Sequence, residues 1–239
     1  MLEVTLFAGP SAYGLAPALL QPPGTTWRAP VRRGDIDALR VEQGHPGVAV
    51  ICDGVFQAEP AVSHAEIGRA LDAGWQVWGV SSLGAIRAYE LRGRGMLGFG
   101  WVHALFQQLP GLADDELCLL HSPQPPYIPV SEPLVNLRYA LALQGGALGI
   151  APAASERLLQ AAGALWFGDR TEPMLRGLMR DAAGMHDAQA AALWCWLTQH
   201  RVKTLDLAAL MARQPWHRHP PVPAPGPASR QPASPRPHA

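Results

Sequence analysis

The sequence predicts an α/β protein with a doubly wound, mostly parallel sheet, followed by a helical C-terminal half. In the first part of the chain, short runs of β-forming residues alternate with helical patterns, which is typical of a parallel sheet covered by helices. Beyond about residue 133 the patterns are helical only. With 239 residues, 48% of them apolar, the chain is long enough to bury one medium α/β domain with helical additions.

Three runs are predicted to be strands. Residues 2–8 are rich in β-forming side chains and end in a Gly-Pro turn signal. Residues 47–53 (GVAVICD) are continuously apolar, as expected for a strand buried on both faces, and residues 75–81 (WQVWGVS) form the third run. Helices are predicted between them at 35–43 and 62–73, and residues 116–121 (ELCLLH) are a candidate fourth strand.

The C-terminal half is predicted to be helical, with a different tail. Helical patterns rich in Ala and Leu cover 133–144, 153–162, 171–182, 187–200 and 204–213. Residues 214–239 contain nine prolines, a composition that buries too little apolar surface to offset the entropy of ordering. We therefore predict an α/β core domain at 1–145, a helical region at 146–213 and a disordered Pro-rich tail at 214–239.

Composition argues against several classes of function, although a local basic patch around Arg28, Arg32 and Arg33 stays open. Lys+Arg and Asp+Glu both number 19, so the balance of charge does not favour binding to nucleic acid or to an anionic membrane. No uncharged, unbroken run reaches the ~18 residues of a membrane span. The first residues lack the pattern of a signal peptide, so a soluble, cytoplasmic protein is expected. The three cysteines are far apart and are expected to be buried and reduced, with no metal site. No GxGxxG or P-loop motif is present, so no cofactor is expected.

The transition from the third strand into a helix is the most informative stretch. Ser81, Ser82 and Gly84 stand where unpaired backbone N–H groups at a helix start form an anion or oxyanion pocket. Ser82-Leu83-Gly84 matches half of a nucleophile elbow, although Val80 stands where that motif has glycine. The alternative interpretation is that one serine simply caps the helix.

Other candidate residues lie on or near this helix. Arg87 and Glu90 are three residues apart and therefore lie on one side of it, as binding residues or as a surface ion pair. His64 is a candidate general acid or base, because histidine is the residue type most often used for that chemistry. Glu66 is a candidate binding residue or, with Ser63, part of an S-x-x-E capping box.

Three strand ends connect these candidates. Ser11, Asp53 and the pair Ser81/Ser82 each follow a predicted strand, and His121 ends the candidate fourth strand. Because the carboxyl ends of parallel strands share one edge, where ligands bind in open α/β sheets, we predict that a hydroxyl, a carboxylate, an arginine and a histidine converge there.

Seven short motifs also carry a family resemblance. They are Gly9-Pro10-Ser11, Arg33-Gly34-Asp35, Asp53-Gly54-Val55-Phe56, Val62-x-His64-x-Glu66-Ile67, Ser81-Ser82-Leu83-Gly84-Ala85-Ile86-Arg87-Ala88-x-Glu90-Leu91, Gly95-Met96-x-Gly98 and Asp114-Asp115-Glu116. In this order and spacing they resemble the core of the TfuA-like proteins over residues 4 to about 140. The chain departs from the family pattern at Ala65, where the family tends to have lysine, and at Ser122, where it tends to have glycine.

The resemblance implies a partner and a chemistry. TfuA-like proteins work with YcaO-type enzymes, which use ATP to activate a backbone amide of a ribosomally made precursor peptide, usually forming a thioamide. The resemblance implies that the protein brings a ubiquitin-like sulfur carrier to YcaO and hydrolyses its thiocarboxylate to release sulfide. Ser81, Ser82 and Gly84 would then stabilise an oxyanion, His64 or Asp53 would activate water, and Arg87 would hold the carrier's carboxyl terminus.

Two other functions remain open on the sequence. The protein is alternatively a non-catalytic adaptor that binds YcaO and its sulfur donor or precursor peptide. An unrelated serine hydrolase is suggested only by the partial elbow, and the chain lacks a late histidine in the Ser…Asp…His order.

Overall fold

A parallel five-stranded sheet forms the centre of the protein, whose computed structural model describes residues 2–55, 59–109 and 111–219. The spatial order of the strands is β2-β1-β3-β4-β5, and every pair is parallel. The α/β prediction is therefore confirmed. The strands are β1 (Val4–Phe7), β2 (Thr25–Arg28), β3 (Val48–Ile51), β4 (Gln76–Val80) and β5 (Leu97–Phe99).

The three predicted strands are the central strands β1, β3 and β4. The edge strands β2 and β5 were not predicted. β1, β3 and β4 are buried along their whole length, which gives them continuous apolar runs. β2 has the sequence TTWR and is partly exposed, and β5 has only three residues. Neither edge strand therefore carries a long apolar signal.

Helices cover both faces of the sheet. On one face pack α2 (Asp35–Gln43), α3 (His64–Asp72) and α4 (Leu83–Glu90), around a core that includes Phe7, Ile51 and Val77. On the other face lie the short α1 (Pro17–Leu20) and α10 (Val202–Arg213), around Leu6, Val50 and Trp78. α5 (Gly100–Gln108) packs against α4.

Four helices form a second core beside the sheet. They are α6 (Leu134–Gln144), α7 (Pro152–Gly163), α8 (Glu172–Asp181) and α9 (Asp187–Gln199). The domain boundaries at 145 and 213 stay a prediction. α6 belongs to the helical core although it precedes residue 145, whereas α10 returns to the sheet because its apolar face matches the uncovered side of β1, β3 and β4.

The start of the predicted tail has regular structure, and the candidate fourth strand is not a strand. Residues Pro215–Arg218 form a 3-10 helix, and Trp216 is buried against the sheet, so regular structure continues beyond residue 213. The rest of the predicted tail, 220–239, lies outside the described residues. Residues 116–121 are not a strand: Asp114–Leu117 form a 3-10 helix, followed by a single bridge from His121 to Pro129. The edge of the sheet beside β4 is already occupied by β5.

The strand order places a crevice beside β1. The chain leaves β1 towards β2 on one side, while β3 lies on its other side, so the crossover direction reverses between β1 and β3. In open parallel sheets, the crevice outside the carboxyl ends at such a switch point is where ligands bind. Within the described ranges, no helix is long and apolar enough to cross a membrane.

Candidate functional site

A cavity of about 390 Å³ lies at the carboxyl ends of β1, β3 and β4, at the switch point of the sheet. The segment after the 3-10 helix Asp114–Leu117 and the start of α10 close its other sides. Its volume lies within the ~300–1,000 Å³ typical of small-ligand pockets. The polar and reactive side chains that line it are those of Arg32, Asp53, Glu59, Ser82, Cys118, His121, Tyr127 and Lys203.

Asp53 is the central carboxylate of the cavity. It follows the end of β3 after one intervening residue, Cys52, and is 2% exposed. Its Oδ2 accepts hydrogen bonds from the backbone N–H groups of Gly9 (2.8 Å) and Ser11 (3.0 Å), and its Oδ1 accepts one from Ser11 Oγ (2.7 Å). These bonds join the ends of β1 and β3 and fix the carboxylate across the switch point. Ser11 therefore holds Asp53 in place, and it also lines a small gap of about 10 Å³ next to the cavity.

The two serines after β4 have different surroundings. Ser81 is fully buried with φ of 64°, in the left-handed region that non-glycine residues rarely adopt, and its Oγ donates to the carbonyl of Lys203 (2.6 Å). Ser82 precedes α4 and lines the cavity. Its side chain does not cap the helix, and within the described part of the chain its hydroxyl makes no hydrogen bond. Ser82 thus presents a hydroxyl to the cavity, whereas Ser81 connects β4 to α10.

Gly84 serves the packing of α4 and not anion binding. A Cβ atom there would overlap the carbonyl oxygen of Ile51, so only glycine lets the helix start lie against the end of β3. The N–H of Gly84 donates to the carbonyl of Cys52 (3.2 Å) and is not free for a ligand. The predicted pocket of free N–H groups at the start of α4 therefore lacks this donor.

His64, Arg87 and Glu90 form a separate cluster that does not line the cavity. Glu90 Oε2 lies 2.7 Å from His64 Nε2 and accepts from Arg87 Nη1 at 2.6 Å, while Arg87 Nε donates to the carbonyl of Val62 (3.2 Å). The His64 side chain is 54% exposed. Burial, followed by the negative charge of Glu90, raises the pKa of the neighbouring Asp114. The predicted convergence with Asp53 and Ser82 thus fails for His64 and Arg87, because the start of α3 directs His64 towards the far half of α4.

Glu66 caps a helix. Its Oε1 accepts from the N–H of Ser63 (2.6 Å), and Ser63 Oγ accepts from the N–H of Glu66 (3.2 Å), which completes the capping box of α3. Its Oε2 accepts from the N–H of Gly34 (2.8 Å) and so joins α3 to the start of α2. Both carboxylate oxygens are used within the fold, as expected for a structural residue.

His121 does reach the cavity, although not from a strand. Its Nδ1 lies 2.7 Å from the carbonyl of Ser122 and donates to it, because a carbonyl oxygen can only accept. The ring packs edge-on against Tyr127, with centroids 5.7 Å apart. The single bridge to Pro129 holds this segment over the cavity.

Two cysteines near Asp53 are held as thiols. Burial raises the pKa of Cys118, which lines the cavity, to about 11. Burial, with the nearby charge of Asp53, also raises the pKa of Cys52 well above its ordinary value. Because the thiolate is the nucleophile, both are poor candidates for covalent catalysis. Among the described residues, no group of His, Cys, Asp and Glu side chains is arranged to hold a metal ion.

Lys203 is the main residue of the cavity that motif analysis missed. It is 2% exposed and lies at the start of α10, far from the other cavity residues in sequence. The composition contained one indication that Lys203 is unusual, because it is the only lysine among the 19 lysine and arginine residues of the chain. Cys118 and Tyr127 were not proposed as site residues either, since neither lies after a strand.

Comparison with known proteins identifies one family. The family model described as TfuA-like protein matches residues 53–171, about half of the chain. No curated protein matches the chain. The matched region includes Asp53, Ser82 and His121, whereas Ser11 and Lys203 lie outside it.

Proposed function

Because this chain belongs to the TfuA-like family, we propose that it is an accessory protein of a YcaO-type enzyme and hydrolyses a thiocarboxylated ubiquitin-like carrier to release sulfide. The family match is consistent with an accessory role in a thioamide-forming pathway. The partnership with YcaO and the hydrolysis of the thiocarboxylate are proposed in addition to that role. The observation that carries them is the cavity at the switch point, where a fixed carboxylate and a free hydroxyl face one small space.

Asp53 is the proposed general base. Its carboxylate is held by three hydrogen bonds, which set its orientation before a ligand arrives. A carboxylate oxygen has more than one lone-pair direction and can accept a further hydrogen bond from water. Water bound there would lose a proton to Asp53 as its oxygen attacks the carbonyl carbon of the thiocarboxylate.

The reaction consumes one water and forms one hydrogen sulfide. Attack forms a carbon–oxygen bond and moves the carbonyl electron pair onto oxygen, giving a tetrahedral intermediate. When this collapses, the carbon–sulfur bond breaks and the sulfur leaves with the electron pair. The sulfur takes up the proton held by Asp53 and leaves as HS⁻. The new carboxyl group then loses the second water proton, which converts HS⁻ to hydrogen sulfide and leaves a carboxylate on the carrier. No oxidant or reductant is needed.

Ser82 is the proposed donor to the developing oxyanion. Its hydroxyl faces the cavity at the start of α4 and has no partner among the described residues, so it is free to donate to a ligand. Direct attack by water is favoured over attack by Ser82. Within the described part of the chain, no histidine lies within hydrogen-bond distance of Ser82 to remove its proton.

A second candidate function is a non-catalytic adaptor. It is favoured by exposed apolar side chains beside the cavity: Leu120, Ile128 and Val130 are 37%, 47% and 60% exposed. They surround the His121 bridge, where a protein partner or a precursor peptide would find apolar contact surface. An adaptor would bind YcaO and its sulfur donor here and leave the chemistry to YcaO.

Sulfide release from a purified carrier thiocarboxylate tests the proposal, first with the protein alone and then with YcaO and ATP. Hydrolysis predicts multiple turnovers of sulfide and a carrier that ends in a carboxylate, detected by its mass. An adaptor predicts no release without YcaO, together with a stable complex that Ser82→Ala leaves intact. Absence of sulfide in both conditions would rule out the hydrolase on this carrier.

A further inference from the structure

We infer that Lys203 makes the cavity an anion-binding site that takes the carboxylate or thiocarboxylate end of an acyl ligand. The inference deepens the proposed function, on which it rests for the identity of the acyl group. It starts from an unusual placement. Lys203 is the only lysine of the sequence and is 2% exposed. It lines both the cavity and the adjoining gap.

The contacts of Lys203 leave its ammonium available. Nζ donates one hydrogen bond, to the carbonyl of Leu117 (2.8 Å). An ammonium has three N–H donors, so two remain for a ligand. Within the described ranges no carboxylate forms an ion pair with it.

The backbone of Lys203 is fixed by side chains on both sides. Its carbonyl accepts from Ser81 Oγ (2.6 Å), and its N–H donates to Asn136 Oδ1 (3.3 Å). The unusual φ of Ser81 thus has a consequence at the site, since it directs the hydroxyl to α10 and not into the cavity. Lys203 is held by groups from the sheet and from the helical core, which is how a preorganised binding residue is built.

The acidic groups around this ammonium are bonded to other partners. Glu132, a buried glutamate that lines the adjoining gap with Lys203, is paired with Arg201 (2.9 Å). At the cavity wall, Arg32 is paired with Glu59 (3.1 Å). Asp53 shares the cavity with Lys203 but is bonded to the β1 loop. The cavity therefore holds one fixed negative and one fixed positive charge that do not pair with each other.

A small monoanion fits this arrangement. A buried ammonium without a direct ion-pair partner is energetically unfavourable, and a bound carboxylate or thiocarboxylate would offset that penalty. The compact ammonium can keep its bond to Leu117 and still donate to a ligand, whereas the larger planar fork of arginine demands a bidentate partner. An acyl group bound at Lys203 would carry its anionic end there and leave its carbonyl carbon for water held by Asp53.

Lysine-selective NMR tests the inference on the intact wild-type protein. Protein labelled with ¹³C-lysine gives one lysine side-chain spin system, that of Lys203. Titration with thioacetate should shift the Lys203 ε-CH₂ resonance saturably, and acetate should compete. Chloride at matched ionic strength should leave the resonance unmoved. A resonance that responds to thioacetate no more than to chloride would overturn the inference.

Calorimetry on variants provides the second measurement. Lys203→Gln keeps a donor for Leu117 but removes the charge, and it should weaken thioacetate binding about tenfold or more, as for other buried charge pairs that lose one partner. Arg180→Gln on α8 removes an exposed charge remote from the cavity and should bind like wild type. Equal affinities for wild type and Lys203→Gln would also overturn the inference.

The two proposals fail in different ways. If thioacetate binds at Lys203 but the carrier releases no sulfide, the anion site stands and the hydrolase proposal fails. If sulfide is released and Lys203→Gln matches wild type in both rate and half-saturating carrier concentration, the hydrolase proposal stands and Lys203 is not its anion site.

Discussion

Replacing Asp53 separates its structural role from its proposed chemical role. Asp53→Ala removes all three hydrogen bonds to the carboxylate and leaves the N–H groups of Gly9 and Ser11 without their partner. Asp53→Asn keeps the shape: one amide oxygen can accept from both N–H groups, and the NH₂ group can donate to Ser11 Oγ. Ser11→Ala removes only the hydroxyl bond.

The expected losses of stability follow from the number and type of bonds. Hydrogen bonds to a charged group contribute about 1.5 kcal/mol each at the low end of their range, so the loss of three should cost Asp53→Ala about 4.5 kcal/mol of unfolding free energy. Neutral hydrogen bonds have about half the strength of charge-assisted ones, so Asp53→Asn should lose about 2 kcal/mol. Ser11→Ala should lose about 1.5 kcal/mol.

Urea unfolding at pH 7 measures these differences, provided that the slope of free energy against urea is unchanged. Asp53→Asn should remain folded and release no sulfide, because an amide cannot accept the proton. The reasoning about Asp53 would be refuted if Asp53→Ala were within about 0.5 kcal/mol of wild type, the range of ordinary surface substitutions.

Three further predictions concern the surroundings of the cavity. Gly84→Ala should lower the free energy of unfolding in urea by about 3 kcal/mol, because its Cβ would overlap the Ile51 carbonyl. Gly177→Ala on α8, where the space is open, should raise it by up to about 1 kcal/mol. Similar values for the two variants would contradict the described packing of Gly84. Burial raises the pKa of Asp206 from 3.8 to about 6, so the folded state holds its proton more tightly than the unfolded state. The stability of wild type relative to Asp206→Asn should therefore fall by up to about 3 kcal/mol as the pH rises from 4 to 7, and a flat difference would contradict the raised pKa. Iodoacetamide at pH 8 should alkylate the exposed Cys195 well before Cys118, as followed by peptide mass, and equal rates would contradict the raised pKa of Cys118.

The central sheet could be predicted because its signals are local. β1, β3 and β4 are buried on both faces, so each appears in the sequence as an unbroken apolar run followed by a turn. The edge strands carry no such run. β5 has only three residues, which come shortly after Gly95 in the left-handed backbone conformation, and it is a strand only because it pairs with β4.

The candidate site could be predicted only where strand ends determine it. Asp53 and Ser82 line the cavity because they follow adjacent parallel strands. His64 and Arg87 were predicted to be site residues because of their chemistry, but the positions of α3 and α4 bring both side chains to Glu90 instead of the cavity. Lys203 could not be placed by motifs, because it reaches the cavity through the return of α10 across the sheet.

The most direct test of the central claim locates the chemistry by comparing three variants in one sulfide-release assay. Asp53→Asn and Ser82→Ala alter the cavity, and His64→Ala alters the exposed cluster with Glu90. If the cavity is the site, Asp53→Asn releases no sulfide, Ser82→Ala is slowed about tenfold or more, and His64→Ala matches wild type. Loss of release in folded His64→Ala, with Asp53→Asn fully active, would contradict the account and place the chemistry at the surface cluster.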